Sequence, residues 1–277
     1  MATLAESLAR DPVRALPYGV SGSAKTTLIG MMAAHESLRP IYVFDFDLRI
    51  SSLRVRIPQE LWQFIESDPY RDSKLPGEAF TLAEYKLTQL SPQKYKTVAV
   101  DSGTFMGDAV MARVLQLDGK SVTSTPQLQH YMQQMSLIRD FVSKCCAQQW
   151  NFIFTCHEAS DKDEVTGRMF KNLALTGKLA EKLPGFFNEL WHTEIRQRSG
   201  QDPEYVVRCK SDLLYSARTS FKSLEQIEPQ EKIWGRIVEE MKSDVPVILN
   251  LGLSGNIPAT LGPDGVKLLG LGLGVKT

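Results

Sequence analysis

Continuous apolar runs alternate along the chain with stretches whose apolar residues recur at helical spacing, and most of the runs end in a polar or acidic residue. The first run covers 13–18, and Thr27-Leu28-Ile29-Gly30-Met31-Met32-Ala33-Ala34 after it reads as a helix. Three more runs are β-branched and aromatic: Pro40-Ile41-Tyr42-Val43-Phe44-Asp45-Phe46-Asp47, Tyr95-Lys96-Thr97-Val98-Ala99-Val100-Asp101-Ser102, and Trp150-Asn151-Phe152-Ile153-Phe154-Thr155-Cys156-His157-Glu158. Buried parallel strands read this way, because both of their faces are covered. The spacing predicts helices over 81–90, with Leu82, Tyr85 and Leu90 available for a buried face, and over 107–117. A longer helix is predicted over 127–149, with Leu128, Tyr131, Met135, Ile138 and Val142 facing the core, and another over 230–242, with Ile233, Trp234, Ile237, Val238 and Met241 on one face. Residues 185–196 and 204–210 supply further strands. Strands alternating with helices in this order predict an α/β fold, with a mainly parallel central sheet flanked by helices.

At 277 residues the chain accommodates one large α/β domain. Residues 1–12 read as an N-terminal leader and 13–222 as the core, with a peripheral insertion near 51–80 that holds Pro58, Pro69, Pro76 and one short helix near 60–66. A C-terminal helix lies within 223–248, and glycine and proline make 249–277 a flexible tail. Lys and Arg together number 32, as do Asp and Glu, so no global basic field recruits nucleic acid and any such contact must come from a local patch. Cys145, Cys146, Cys156 and Cys209 lack C-x-x-C spacing or paired histidines, which argues against a zinc site or a disulfide framework and favours a reduced, cytoplasmic compartment. No apolar run reaches the length of about 18 residues that a membrane span needs.

Candidate chemistry centres on Tyr18-Gly19-Val20-Ser21-Gly22-Ser23-Ala24-Lys25-Thr26-Thr27, which reads as a phosphate-binding loop with Ala24 where a second glycine is expected. Its place between a strand and a helix is what the mechanism needs: backbone N–H groups from Ser21 to Lys25 surround phosphates and the helix dipole adds positive potential. Gly19, Ser21, Gly22, Ser23, Ala24, Lys25, Thr26 and Thr27 are thus the candidate ATP-binding residues, with Lys25 neutralising phosphate oxygens and the Thr26 hydroxyl holding Mg²⁺. Asp101, ending its strand, is the second candidate Mg²⁺ group. Asp45 and Asp47 either stand near the phosphates or cap the following turn. His157 ends the next strand. The polar stretch 118–126, with Lys120, reads as a mobile loop. Residues 159–184, with Lys162, Arg168, Lys171 and Lys178, read either as a loop facing nucleic acid or as a solvated connection.

The order of these segments over roughly 13–222 resembles the RecA-like ATPase core, and more closely the phage ATP-binding proteins of the Sak group, associated with single-strand annealing and recombination. That resemblance implies that Asp47 activates the attacking water, although glutamate is usual there, and that His157 senses the γ-phosphate. It makes 159–184 the segment that meets single-stranded DNA, with Lys120, Lys162, Arg168, Lys171 and Lys178 as candidate contacts. Ser216-Ala217-Arg218-Thr219 resembles a late basic motif that reaches a neighbouring subunit's nucleotide, with one basic residue where two are usual. The implied protein is a Mg²⁺-dependent ATPase in a homo-oligomer, ring or filament, in the host cell cytoplasm if phage-encoded, working with a single-strand-binding protein or an annealase. The alternative is an ATP-dependent assembly factor that hydrolyses little. For Ala24 two expectations stand: its methyl group crowds a turn that glycine would leave open, or it occupies helical dihedrals without strain.

Overall fold

A computed structural model describes residues 11–162, 167–197 and 199–243; the expectations for 1–10 and 249–277 lie outside the described residues. Residues 11–240 form one compact unit. Its strands are β1 (Arg14–Gly19), β2 (Ile41–Asp45), β3 (Ile65–Pro69), β4 (Thr97–Asp101), β5 (Asn151–Phe154), β6 (Cys156–Lys162), β7 (Met169–Leu173), β8 (Glu189–Arg196), β9 (Glu204–Arg208) and β10 (Ile227–Pro229). The helices are α1 (Lys25–Met31), α2 (Glu78–Gln89), α3 (Gly103–Leu117), α4 (Leu128–Cys146), α5 (Leu179–Lys182) and α6 (Gln230–Ser243).

The sheet runs β10-β9-β8-β1-β5-β4-β2-β3. Every neighbouring pair from β8 to β3 is parallel, and β9 and β10 extend the sheet antiparallel at one edge. The α/β class with a mainly parallel sheet and flanking helices is therefore as the apolar runs predict. After β1 the chain crosses to β2 on one side and later returns to β8 on the other. The crevice beyond the carboxyl end of β1 is thus a topological switch point, where open α/β sheets collect ligands.

Three expectations about packing change. Within 51–80, a 3-10 helix covers Gln59–Phe64, and Ile65–Pro69 then pairs with β2 from Ile41↔Ile65 to Asp45↔Pro69, so part of the supposed insertion is the edge strand of the main sheet. Its Glu, Ser, Asp and Pro hide it from an apolar pattern, because an edge strand is only half covered. On α2, Leu82 and Tyr85 are 50% and 64% exposed, and Ala79, Phe80 and Ala83 face inward instead. The small alanines let the helix approach closely enough for Phe80 to meet Phe141 of α4, ring centroids 6.0 Å apart, beside the Phe44–Phe141 edge contact at 5.5 Å. Leu128 is exposed at the start of α4, whereas Ile138, Phe141, Val142 and Cys145 are buried.

The C-terminal helix is integral to the core. Trp234 of α6 packs edge-on against Trp191 of β8 at 5.4 Å and donates its indole N–H to the Leu28 carbonyl of α1 at 2.7 Å. One turn earlier, Gln230 Nε2 donates to the Ser23 carbonyl at 2.8 Å, so α6 braces the loop that follows β1.

Candidate active site

The loop between β1 and α1 is held from beneath. Gly19 lies so close to β8 that a Cβ there would sit 2.4 Å from the Thr193 carbonyl, which excludes any side chain. Ser23 turns inward: its hydroxyl donates to the Val20 carbonyl at 2.8 Å and lies 2.7 Å from Thr193 Oγ1, which in turn donates to the Tyr18 carbonyl. The Ser23 side chain therefore braces the loop and does not face the crevice. Ser21, Gly22, Ala24, Lys25, Thr26 and Thr27 do line the crevice, together with Asp47, Arg49, Ser52, Arg56 and His157.

Of the two alternatives for Ala24, the helical dihedrals are not the ones adopted. The residue sits at φ 64, ψ 32, in the left-handed region that glycine occupies without cost. The loop keeps the backbone of a glycine-bearing turn and imposes it on an alanine. Left-handed geometry costs an L residue roughly 1–2 kcal/mol, and glycine loses about 0.4–1 kcal/mol to its extra freedom when unfolded. Ala24→Gly should accordingly stabilise the protein by about 0.5–1 kcal/mol, read as a higher denaturant midpoint at constant slope. A lower midpoint would show that the methyl group contributes packing that outweighs its strain.

Lys25 is buried, and its ammonium donates to the Gly19 and Val20 carbonyls at 3.0 and 2.8 Å. Next to it, the Thr26 hydroxyl donates to Asp101 Oδ2 at 2.5 Å, and Thr155 Oγ1 donates to Asp101 Oδ1 at 2.6 Å. Asp101 reaches this position because β4 lies one strand beyond β5, and Thr155 in the break between β5 and β6 turns its hydroxyl across the gap. The Asp101–Ser102 peptide is cis. The Asp101 carbonyl accepts from the amides of Phe46 and Asp47, which ties the turn after β2 to the end of β4.

That turn separates the two candidate acids. Asp45 is buried and its carboxylate accepts from the amides of Arg49 and Ile50, so it caps the turn. Asp47 faces the crevice, with Oδ1 3.6 Å from Arg49 Nε and Oδ2 3.8 Å from His157 Nε2. Neither Asp47 Oδ1 nor His157 Nε2 has a hydrogen-bond partner among the described residues, although both are buried. Burial pushes the Asp101 carboxyl up, against the hydrogen bonds from Thr155 and Thr26 that favour its charged form. Burial pulls both the Lys25 ammonium and the His157 imidazole down, and the charge of Lys25 adds to the second effect.

These groups fit a magnesium ion carried with a triphosphate. Among the described residues no cluster of three or more His, Cys, Asp or Glu forms an all-protein metal cage. The paired Thr26 hydroxyl and Asp101 carboxylate supply the one or two protein ligands that Mg²⁺ takes when phosphate oxygens and waters complete its octahedron. Thr26 and Asp101 would hold it, and its charge would offset the buried carboxylate.

A family model described as AAA domain matches residues 11–221. The chain belongs to the AAA domain family. In this AAA domain the glycine-bearing loop after β1 sits at the switch point of the mainly parallel sheet. Among solved structures, the RadB recombinase is similar at 14% identity with a TM-score of 0.44, covering 78% of this chain and 84% of RadB. The assembled ATPase EscN of the enteropathogenic E. coli type III secretion system, in complex with its central stalk EscO, is similar at 14% identity with a TM-score of 0.43, covering 98% of this chain and 63% of EscN. The chain thus spans less than two thirds of EscN. No curated protein matches the sequence.

The basic residues of this AAA domain lie in several settings. Among the described residues of the supposed loop 159–184, β6 pairs antiparallel with β7 from Glu158↔Leu173 to Lys162↔Met169, and α5 follows. Lys162, Arg168 and Lys178 are exposed. Lys171 is committed at the hairpin's base, 2.8 Å from Glu158 and donating to Ser160 Oγ at 3.0 Å. Lys120, just after α3, pairs with Asp118 at 2.9 Å, and Asp118 also meets the buried His130 at 2.9 Å. The expected mobile loop is thus anchored at Lys120 through this ion pair. Arg218 does not line the crevice. Its backbone bridges Leu190, and its guanidinium donates to the carbonyls of Pro184 and, at 2.9 Å, Phe187.

Sequence reasoning missed Arg49, Arg56 and Thr155 at the site and Thr193 and Gln230 beneath it. The missed network of Glu158 and His192 has no sequence signal either, since its members are far apart in the chain: His192 Nε2 lies 2.7 Å from Glu158 Oε2, and Tyr215 stacks on the imidazole at 3.8 Å. Burial raises the Glu158 carboxyl, but the hydrogen bonds from Lys171 and His192 outweigh it and hold the group below its ordinary value.

Proposed function

We propose that the chain is a Mg²⁺-dependent ATPase that assembles as a homo-oligomer, ring or filament, on single-stranded DNA and supports phage recombination or strand annealing. The observation that carries the nucleotide half is the convergence of Lys25, Thr26, Asp101, Asp47 and His157 at the carboxyl ends of adjacent strands. Lys25 and the loop amides bind the phosphates, Thr26 and Asp101 hold the metal, and His157 reads the terminal phosphate. Asp47 orients a water and accepts its proton. The water oxygen bonds to the terminal phosphorus as the bond to the bridging oxygen breaks, and the electron pair leaves with ADP.

The DNA half is supported by the β6–β7 hairpin. His157 faces the crevice at the start of β6, and the next residue, Glu158, ties the same strand to Lys171 and His192, so the nucleotide crevice and the hairpin share one strand. Lys162 and Arg168 lie on the outer part of that hairpin, where phosphate contacts would form. A single-strand-binding protein or an annealase is the expected protein partner.

Steady-state ATP turnover with and without single-stranded oligonucleotide, repeated as salt rises, tests this reading. Single-stranded DNA should raise turnover, and the rise should fade with salt as phosphate contacts weaken. Turnover that DNA leaves unchanged at every salt concentration would overturn the DNA half. The Arg49 contact on Asp47 favours a second reading, an assembly factor that binds ATP and hydrolyses little. It would show as ATP binding with negligible turnover under all of these conditions.

A further inference from the structure

Three cationic side chains line the crevice, and they differ in how far they are committed. Lys25 lies within the loop. Arg56 donates to the Tyr205 hydroxyl at 2.6 Å, with its guanidinium 4.3 Å over that ring, and so is held on β9. Arg49 has looser partners: Nη1 donates to the neutral Ser21 hydroxyl at 2.9 Å, Nε stands 3.6 Å from Asp47, and the side chain is 58% exposed. Its backbone is nonetheless fixed. Asp45 accepts its amide, and the 3-10 helix Ile50–Val55 that follows buries Leu53 against Gly30 of α1, where a Cβ on the glycine would come within 2.8 Å of Leu53 Cδ2. A guanidinium on a rigid stem, bridging the phosphate loop and the candidate water-orienting acid, exchanges a hydroxyl and a distant carboxylate for phosphate oxygens at little cost.

Resting on the nucleotide site proposed above, we infer that Arg49 supplies the positive charge at the terminal phosphate from within the same chain, and that its move onto the phosphate releases Asp47 to orient water. In this chain Arg218 Nη2 donates to carbonyls of Pro184 and Phe187, away from the chain's own crevice. With a triphosphate bound, the site carries both Arg49 and Asp47 in their working places.

ATP and ADP affinities of the full-length wild type, Arg49→Ala, Arg49→Lys and Lys25→Ala, measured by calorimetry, test the inference. A charge-assisted contact to the terminal phosphate predicts that Arg49→Ala loses about tenfold to a hundredfold in ATP affinity while ADP affinity stays within about twofold. Arg49→Lys should recover part of the difference. An unchanged ratio of ATP to ADP affinity in a wild-type background that binds ATP overturns the role of Arg49 and leaves the nucleotide site standing. Failure of the wild type itself to bind ATP overturns the nucleotide site. If Arg49→Ala does not fold, Arg49→Gln gives the same reading with the side-chain bulk kept. Mixing Arg49→Ala with Lys25→Ala subunits separates action within a chain from action across an interface. No mixed site holds both groups if Arg49 acts within its own chain, so turnover should not recover; recovery would assign Arg49 to the neighbour's nucleotide and overturn the inference.

Discussion

Lys25→Ala should abolish measurable ATP binding. Lys25 is the cation buried within the loop, and its ammonium already sits where two loop carbonyls converge, with Asp101 and Asp47 opposing the effect of burial on its charge. Removing it leaves a triphosphate to meet those two carboxylates with no interior charge to offset them. Breaking one partner of a buried charge pair costs about 3–5 kcal/mol, a loss of more than about a hundredfold in affinity. The upward shift of the unfolding midpoint that ATP gives the wild type should therefore vanish in the variant, and Lys25→Met should behave alike while keeping the length of the side chain. A midpoint shift of wild-type size in Lys25→Ala would remove the loop from nucleotide binding.

The two facing acids should fail in different ways. Asp47→Asn should keep ATP affinity within a few-fold of the wild type and lower turnover by about 10²–10⁴, the usual contribution of a positioned general base. Asp101→Asn should instead make ATP affinity insensitive to Mg²⁺, because the Thr26 hydroxyl would be left with a neutral amide in place of the carboxylate at 2.5 Å. Its ligand-free fold should be no less stable than the wild type. Burial raises the Asp101 carboxyl above its unfolded value, so at neutral pH the charged form costs folding free energy, and that cost falls away as pH drops through the raised value. Turnover at the parental rate in Asp47→Asn would remove Asp47 from the chemistry. A retained Mg²⁺ dependence in Asp101→Asn would do the same for Asp101 and the metal.

Local pattern made the phosphate loop and the strands beside it legible. Strand, glycine-bearing turn and helix follow one another within 14–31, and β2, β4 and β5 are apolar on both faces, as strands in the middle of a parallel sheet must be. β3 escaped because its sequence, Ile-Glu-Ser-Asp-Pro, belongs to an edge. The hairpin escaped because β6 is polar or charged along most of its length and Lys171 and Asn172 interrupt β7, so neither shows a buried run. The inward face of α2 was hidden behind the larger but exposed Leu82 and Tyr85.

At the site, what the sequence left undecided was decided by contacts across long separations. Asp45 and Asp47 look alike in the chain, and only the amides of Arg49 and Ile50 make one of them a cap. Ser23 looks like a phosphate ligand until Thr193 and Gln230 close over its inner side. At Ala24 the sequence leaves strain and a relaxed helical turn both open, and the left-handed backbone decides for strain. Arg49 and Arg56 follow no motif spacing. They reach the crevice because the segment after β2 folds back over α1.

Equilibrium binding of ATP to the full-length wild-type protein, with Mg²⁺ and again with the metal chelated, tests the central claim most directly. The account predicts one saturable ATP site per chain, weakened when Mg²⁺ is removed and lost in Lys25→Ala. An absence of saturable binding in the wild type, or binding that survives intact in Lys25→Ala, would contradict it.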